Sequence, residues 1–259
     1  MRRDKTNYVI QSVSHALDVL EQFTGNQEEL GVTELSKRLK LHKNNVFRIL
    51  ATLEARGYIE QNKVTENYRL GVRCLALGQR YLSQAGLLKP ARPILERLAD
   101  TAGETAVLGV VREGRVVALD AAECRHVVRV VPRIGEPAPL HCTAMGKVAL
   151  AFGDHVLRES LPEPLPGFTE HTQTSKEKLF AELERVAELG YAMERSEFVS
   201  DVTAVATPVR DYTGLLVAAL ALTGPTHRMD ERRLRDQIIP SLTSATRELS
   251  GRLGFEPKK

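Results

Sequence analysis

The segment Thr33-Glu34-Leu35-Ser36-Lys37-Arg38-Leu39-Lys40-Leu41-His42-Lys43-Asn44-Asn45-Val46-Phe47-Arg48-Ile49-Leu50-Ala51-Thr52-Leu53 carries two apolar stripes at helical spacing, divided by a tight polar connection. Thr33 is placed to cap a short helix with Val32, Leu35 and Leu39 inward. Lys40-Leu41-His42 turns the chain. A longer helix then runs from about Lys43 to Arg56, with Val46, Phe47, Leu50 and Leu53 inward and Gly57 ending it. Its opposite face presents Asn44, Asn45, Arg48 and Thr52. Amide and guanidinium groups make bidentate hydrogen bonds to base edges in the major groove. Between Lys37 and Arg48 the chain holds Lys37, Arg38, Lys40, Lys43, Arg48 and His42 with no acid, a footprint suited to phosphate.

Upstream lies another helix, with Ser12 as its expected cap, Val13, Ala16, Leu17, Leu20 and Phe23 at helical spacing, and Gly25 as its stop. Downstream, Tyr58–Gln61 and Asn67–Leu70 flank a polar turn around Asn62-Lys63 and read as a hairpin. A hairpin directly after such a helix is a wing, from which Lys63 and Arg69 can reach phosphates. Residues 10–71 are therefore expected to form a winged helix-turn-helix domain that binds double-stranded DNA. Thr33, Lys43, Asn44, Asn45, Arg48, Thr52, Lys63 and Arg69 are its candidate contacts. One such unit buries little DNA, so a two-fold dimer on a pseudo-palindromic operator is expected, with Val13, Leu17 and Leu20 in its contact region.

Residues 72–85 suit a linker helix, using Leu75, Leu77, Tyr81 and Leu82 despite Gly78. Residues 86–255 read as an α+β domain. It opens with a helix through Ile94, Leu95 and Leu98. Strands follow at Ala106–Val111, Val116–Leu119 and Val127–Val131. Thr174 to Glu177 fits a capping box for a helix through Leu179, Leu183 and Val186, stopped by Gly190. Val205–Val209 and Leu215–Leu222 are the last strands. The final helix uses Leu234, Ile238, Leu242, Ala245, Leu249 and Leu253, with a disruption expected at Pro240.

Composition excludes several classes. The chain has 259 residues, is 42% hydrophobic and 27% charged, and carries a net charge of +3, which rules out a disordered or low-complexity chain. No apolar run approaches the ~18 residues of a membrane span. Met1 to Asn7 lacks the apolar stretch of a signal peptide, so a cytoplasmic protein without membrane attachment is expected. Cys74, Cys124 and Cys142 are an odd, scattered set, which suggests neither a disulfide scaffold nor a zinc site; no metal or cofactor is expected.

Taken in order, Thr33-Glu34-Leu35, Phe47 to Leu53, Gly57-Tyr58, Tyr68-Arg69-Leu70-Gly71, Gly103-Glu104-Thr105, Leu140-His141-Cys142-Thr143-Ala144-Met145-Gly146-Lys147, Gly190-Tyr191, Ala206-Thr207-Pro208-Val209 and Thr223-Gly224-Pro225 resemble the IclR (isocitrate lyase regulator) family of bacterial transcription factors. The resemblance spans nearly the whole chain. It implies a winged helix-turn-helix, a linker helix and a C-terminal effector domain resembling GAF and PAS sensors. It also implies a homodimer or homotetramer, and regulation, usually repression, of genes for catabolism of small organic acids and aromatic compounds. Two departures stand out. The family's turn usually carries Gly where this chain has Lys40, and a Ser-Thr pair where it has Asn44-Asn45, so the family's operators do not transfer.

The resemblance also implies an effector site. The segment Cys142, Thr143, Ala144 and Met145 lines the family's ligand cavity and offers main-chain amides to a carboxylate. The segment after Gly190-Tyr191 brings Glu194, Glu197 and Asp201, and the sheet floor brings Ala221 and Thr223. Asp201 stands where the family commonly has Gly and is expected to add a carboxylate to the cavity, which Arg129 could offset. The alternative is a small-molecule-binding or hydrolytic domain using Cys142 and His141, with no role on DNA. Neighbouring residues of an extended strand point to opposite faces, which disfavours that pair as nucleophile and base. Gly146-Lys147 is only the tail of a phosphate loop, lacking its upstream glycine and following hydroxyl residue.

Overall fold

The computed structural model describes residues 9–24, 29–84 and 86–256, which divide into two compact units at Gln84/Ala85. In the first, α1 (Gln11–Glu21) runs into a 3-10 turn, Gln22–Thr24. Next come α2 (Val32–Leu39), α3 (Lys43–Ala55), the antiparallel hairpin β1 (Ile59–Gln61) and β2 (Tyr68–Leu70), and α4 (Val72–Gln84). Val19, Phe23, Leu30, Leu35, Val46, Leu50, Leu53, Ile59 and Tyr68 form its core. The 4-residue and 3-residue steps from Val46 to Leu50 to Leu53 keep one stripe of α3 inside.

Four local expectations need correction. Phe47 is 57% exposed rather than inward, because it lies about 100° around the helix from Val46. Ser12 and Thr33 are not caps: Ile10 and Gly31 hold those positions, without side-chain bonds. The capping box at Thr174–Glu177 is displaced by one residue, since the Ser175 hydroxyl accepts the Lys178 amide. Gly25 and the side chains of Tyr81 and Leu82 lie outside the described residues.

The helix expected to be a linker groups with the first unit. Its start is tied there, as the Arg73 amide donates to the Gly57 carbonyl and the Cys74 thiol to the Tyr58 carbonyl.

The second unit holds α5 (Leu88–Ala102), β3 (Thr105–Arg112), β4 (Arg115–Ala122), β5 (Pro137–Ala138), α6 (Ala144–Phe152), α7 (Val156–Glu159) and α8 (Lys176–Leu189). It continues with β6 (Ala192–Arg195), β7 (Val202–Arg210), β8 (Leu216–Pro225), α9 (Glu231–Arg233), a π turn at Leu234–Ile238 and α10 (Ile239–Arg252). The strands make one antiparallel sheet in the order β5-β4-β3-β8-β7-β6, an α+β, GAF/PAS-like arrangement. Alternation along β7 sorts its two faces. Ala204 and Ala206 pack under α6, whereas the Thr207 hydroxyl meets that of Thr246 on α10. The π turn sits directly before Pro240, which supplies no amide for a regular ladder.

Val127–Val131 is not a strand. Val127, Val128 and Val131 are 94%, 62% and 58% exposed, and the carbonyls of Val128 and Val130 accept from Arg228 and the Thr105 hydroxyl instead of from a ladder. The place beside β4 goes to the two-residue β5, which the sequence did not signal, and β6 likewise went unassigned as a strand.

Candidate functional site

On the first unit, Asn44, Asn45, Arg48 and Thr52 are all exposed on α3, opposite the buried stripe. The helix is capped by His42, whose Nδ1 accepts the Asn44 amide at 3.4 Å. Lys43 is exposed in its first turn, and Thr33 in the first turn of α2. The Thr52 hydroxyl donates to the Arg48 carbonyl at 2.8 Å, so its proton is already used within the helix.

The wing tip is built by Asn62, whose Oδ1 accepts the amides of Val64 and Thr65, with Lys63 exposed between Asn62 and Val64. Glu29 fastens this turn, accepting from Asn62 Nδ2 and the Thr65 hydroxyl at 2.7 Å each. Those two bonds hold its carboxyl below the ordinary glutamate range. Sequence reading did not find Glu29, because its partners lie 33 and 36 residues away. Arg69 pairs with Glu60 across the hairpin at 3.3 Å, an exposed contact weak enough to yield to a phosphate.

On the second unit, Thr143 caps α6. Its hydroxyl accepts the Gly146 amide at 3.1 Å and donates to the Pro139 carbonyl at 2.7 Å. Gly146 is required by a close approach, because a Cβ there would run into the backbone of Leu140. Cys142, Thr143 and Ala144 are buried, and Met145 packs its thioether over Gly109 of β3. Beneath α6 the sheet is floored with alanines, among them Ala192, Ala204, Ala206, Ala219 and Ala221. Register places Glu194, Ala204 and Thr223 side by side in one cross-strand row. The sequence-predicted Cys142, Thr143, Ala144, Met145, Glu194, Ala221 and Thr223 therefore gather around α6 and the face it covers.

Lys147, to which the sequence reading gave no role, joins this group: it is fully buried, its ammonium 2.7 Å from Glu182, 2.6 Å from Glu197 and 3.2 Å from the Met193 carbonyl. Its position four residues after the cap, on the inward side of α6, is the signal that could have revealed it. Two carboxylates and a carbonyl thus share one ammonium. Glu194, buried on β6, is pushed up to about 8 by desolvation, with Glu197 adding to the rise and the Phe198 amide and Lys147 opposing it. Desolvation also raises Glu197, whose Oε2 is buried with no partner.

Cys142 and His141 do not form a catalytic pair. The thiol is pushed up to about 12 by burial and by Glu194 and Glu197, so it stays protonated. The imidazole turns elsewhere, its Nε2 2.9 Å from the Pro166 carbonyl. Among the described residues no group of three or more His, Cys, Asp or Glu side chains is arranged to hold a metal ion.

Residues 79–251 match the model for the C-terminal domain of bacterial IclR transcriptional regulators, and residues 12–63 match the IclR helix-turn-helix domain. The chain belongs to the IclR family. It is 34% identical to the HTH-type transcriptional regulator KdgR of Escherichia coli K12 over 257 residues, 97% of this chain and 96% of that one. It is 26% identical to the HTH-type transcriptional repressor AllR of the same organism over 95% of this chain and 91% of that one. Among solved structures, an IclR transcriptional regulator from Alicyclobacillus acidocaldarius superposes with a TM-score of 0.84 at 27% identity, covering 94% of this chain and 99% of the other. A regulator from Rhodococcus sp. RHA1 gives 0.84 at 26%, covering 95% and 98%. The protein is a DNA-binding transcriptional regulator with a C-terminal effector-binding domain, from a family of regulators rather than enzymes. Among the described residues no helix is long and apolar enough to cross a membrane.

Both departures at family glycines fall on left-handed backbone. Lys40 has φ 53° and Asp201 φ 60°, the region glycine enters without penalty. This corrects the reading of Asp201. Its side chain is exposed at the turn before β7, where its amide is held by the Ser196 hydroxyl and its carbonyl accepts the Thr226 amide. A second correction concerns Arg129, which lies on the exposed loop after β4, paired with Glu123 at 2.5 Å and so already committed to a carboxylate.

Proposed function

We propose that this IclR-family regulator reads a pseudo-palindromic operator with α3 in the major groove, represses from it, and releases it when a small organic acid occupies the face beneath α6. The observation that carries the DNA half is the division of α3 into a buried apolar stripe and an exposed face of Asn44, Asn45 and Arg48, with Lys43 at its entry. Lys63 on the wing and Arg69 add phosphate contacts, while Thr33 at the start of α2 and Thr52 on α3 flank the reading face. The effector half rests on the buried cluster. Lys147 is saturated by Glu182 and Glu197, so an anionic ligand is held by first-turn amides of α6 rather than by a side-chain cation. The unpartnered Glu197 Oε2 favours an effector that also carries a hydroxyl. Repression is the sign named for the relative AllR. A cytoplasmic location and assembly as at least a dimer complete the reading.

The test is footprinting on the DNA upstream of the protein's own gene. Arg48→Ala should abolish specific protection with the fold intact, as loss of a bidentate base contact costs ~1–3 kcal/mol of discrimination. Lys63→Ala should weaken all sequences alike and lower the slope of binding against salt by about 1. Unchanged protection by Arg48→Ala would overturn the assignment of α3.

A further inference from the structure

Phe47 is the residue of α3 that neither the core nor the hydrogen-bonding face explains. Asn44, Phe47, Arg48 and Ala51 follow at i, i+3, i+4 and i+7, the spacing of one helical face, and all four are exposed. The domain's core takes the neighbouring Ile49 as a partly buried member instead. Phe168, which is also exposed, packs its ring edge-on against Phe198 at 5.2 Å; Phe47 is more exposed still, at 57%. A large ring set in water forfeits the gain of burial, so its place on this face needs an occupant.

The surroundings select the occupant. The segment from Lys37 to Arg48 is basic throughout and contains no acid, which favours a polyanion over another apolar protein surface. Phe47 is the fifth residue of α3, in the N-terminal half that meets base edges when a recognition helix enters the major groove. A phenyl ring makes no hydrogen bond there. The one apolar group that base edges present in that groove is the C5-methyl of thymine. Ala51, one turn further along the same face, is small enough to let the helix approach closely.

We propose that Phe47 is a specificity-determining residue, packing its ring on the 5-methyl of one thymine in each half-site, beside the base read by Arg48. This rests on α3 being the recognition helix. In vitro selection from a random duplex library, run with the wild type, Arg48→Ala, Phe47→Ser and Phe47→Leu, gives the motif of each. Every thymine of the wild-type motif is then replaced singly by deoxyuridine, which removes only the methyl group. One thymine per half-site should weaken wild-type binding on replacement, by about fourfold for one half-site and about fifteenfold for both, the value of one methyl contact. Phe47→Ser should lose the preference for that thymine and be indifferent to deoxyuridine. Phe47→Leu, which keeps an apolar tip, should retain most of it. Since Phe47 lies outside the core, the thermal melting of Phe47→Ser should match the wild type. Equal deoxyuridine costs in wild type and Phe47→Ser would overturn the proposal while leaving Arg48 as a reader. Loss of the dimer by Phe47→Ser in the absence of DNA would overturn it in favour of a protein contact. A motif unchanged by Arg48→Ala, or no motif from the wild type, would instead overturn the recognition-helix assignment on which it stands.

Discussion

Glu194 shows how far a single residue departs from its ordinary chemistry here. Folded, it keeps its proton to about pH 8; an unfolded glutamate gives it up near 4.5. Between those values the unfolded chain is ionised and the folded chain is not. Its contribution to stability is therefore full below about pH 4.5 and is lost as pH rises toward 8. Each unit of separation is worth about 1.4 kcal/mol, so the loss amounts to a few kcal/mol. The Phe198 amide and the Lys147 ammonium temper this loss, and Glu197 adds to it. Glu194→Gln should flatten the fall of the urea midpoint between about pH 5 and 8 relative to the wild type. An unaltered slope would show that Glu194 is ionised in the fold. Its place in the site was legible from the sequence, but its protonation was not, because desolvation depends on the helix packed above it. Asp201 is the converse: a carboxylate placed by sequence in the cavity that the turn carries out to solvent.

At the level of elements, the second unit is locked by a contact that no local pattern announces. Glu104, at the start of β3, is fully buried, its two oxygens bound by Arg228 at 2.8 and 2.7 Å and one of them also by Arg233 at 2.8 Å. Arg228 also donates to the Val128 carbonyl and Arg233 to the Ala102 carbonyl. One carboxylate thereby joins β3, the end of α5, the loop after β4 and the turn into α9. Gly224 of β8 lies against it with no room for a Cβ. Gly224→Ala should displace the buried carboxylate and destabilise the second unit by roughly 3 kcal/mol, as breaking a buried ion pair does. Chemical denaturation followed by circular dichroism checks it, and a loss below about 1 kcal/mol would mean that the pair adapts. The apolar runs of β3, β7 and β8 were readable in advance. The valines of 127–131 were not rightly read, since strand propensity describes a fit to a pleated, half-buried surface that this loop never meets.

For the whole molecule, the exposed apolar residues of the first unit are the informative ones. Val13 and Leu17 on α1 are each 54% exposed, and Val72, Leu75 and Leu77 on α4 are 68%, 62% and 55%. Exposed apolar stripes are the usual material of interfaces, and the proposed pseudo-palindromic operator would be read by a two-fold dimer that uses them. Light scattering should give a dimer or tetramer at micromolar concentration, and Leu17→Glu with Leu75→Glu should shift it toward monomer and weaken operator binding. A wild-type monomer at that concentration would contradict the reading.

The sequence alone determined the order and type of the long elements, because the 3.6-residue period of α3, α8 and α10 and the short apolar runs of β3, β7 and β8 are local properties. It also determined the outward polarity of α3, and through its spaced motifs the family. Only the tertiary structure decided which apolar residue of α3 stays in water, that Lys147 is bound between two carboxylates, and that Asp201 and Arg129 stand apart from the cluster. Those outcomes depend on partners 35 to 50 residues away for Lys147, and on left-handed backbone at Asp201, neither of which any short window of sequence contains.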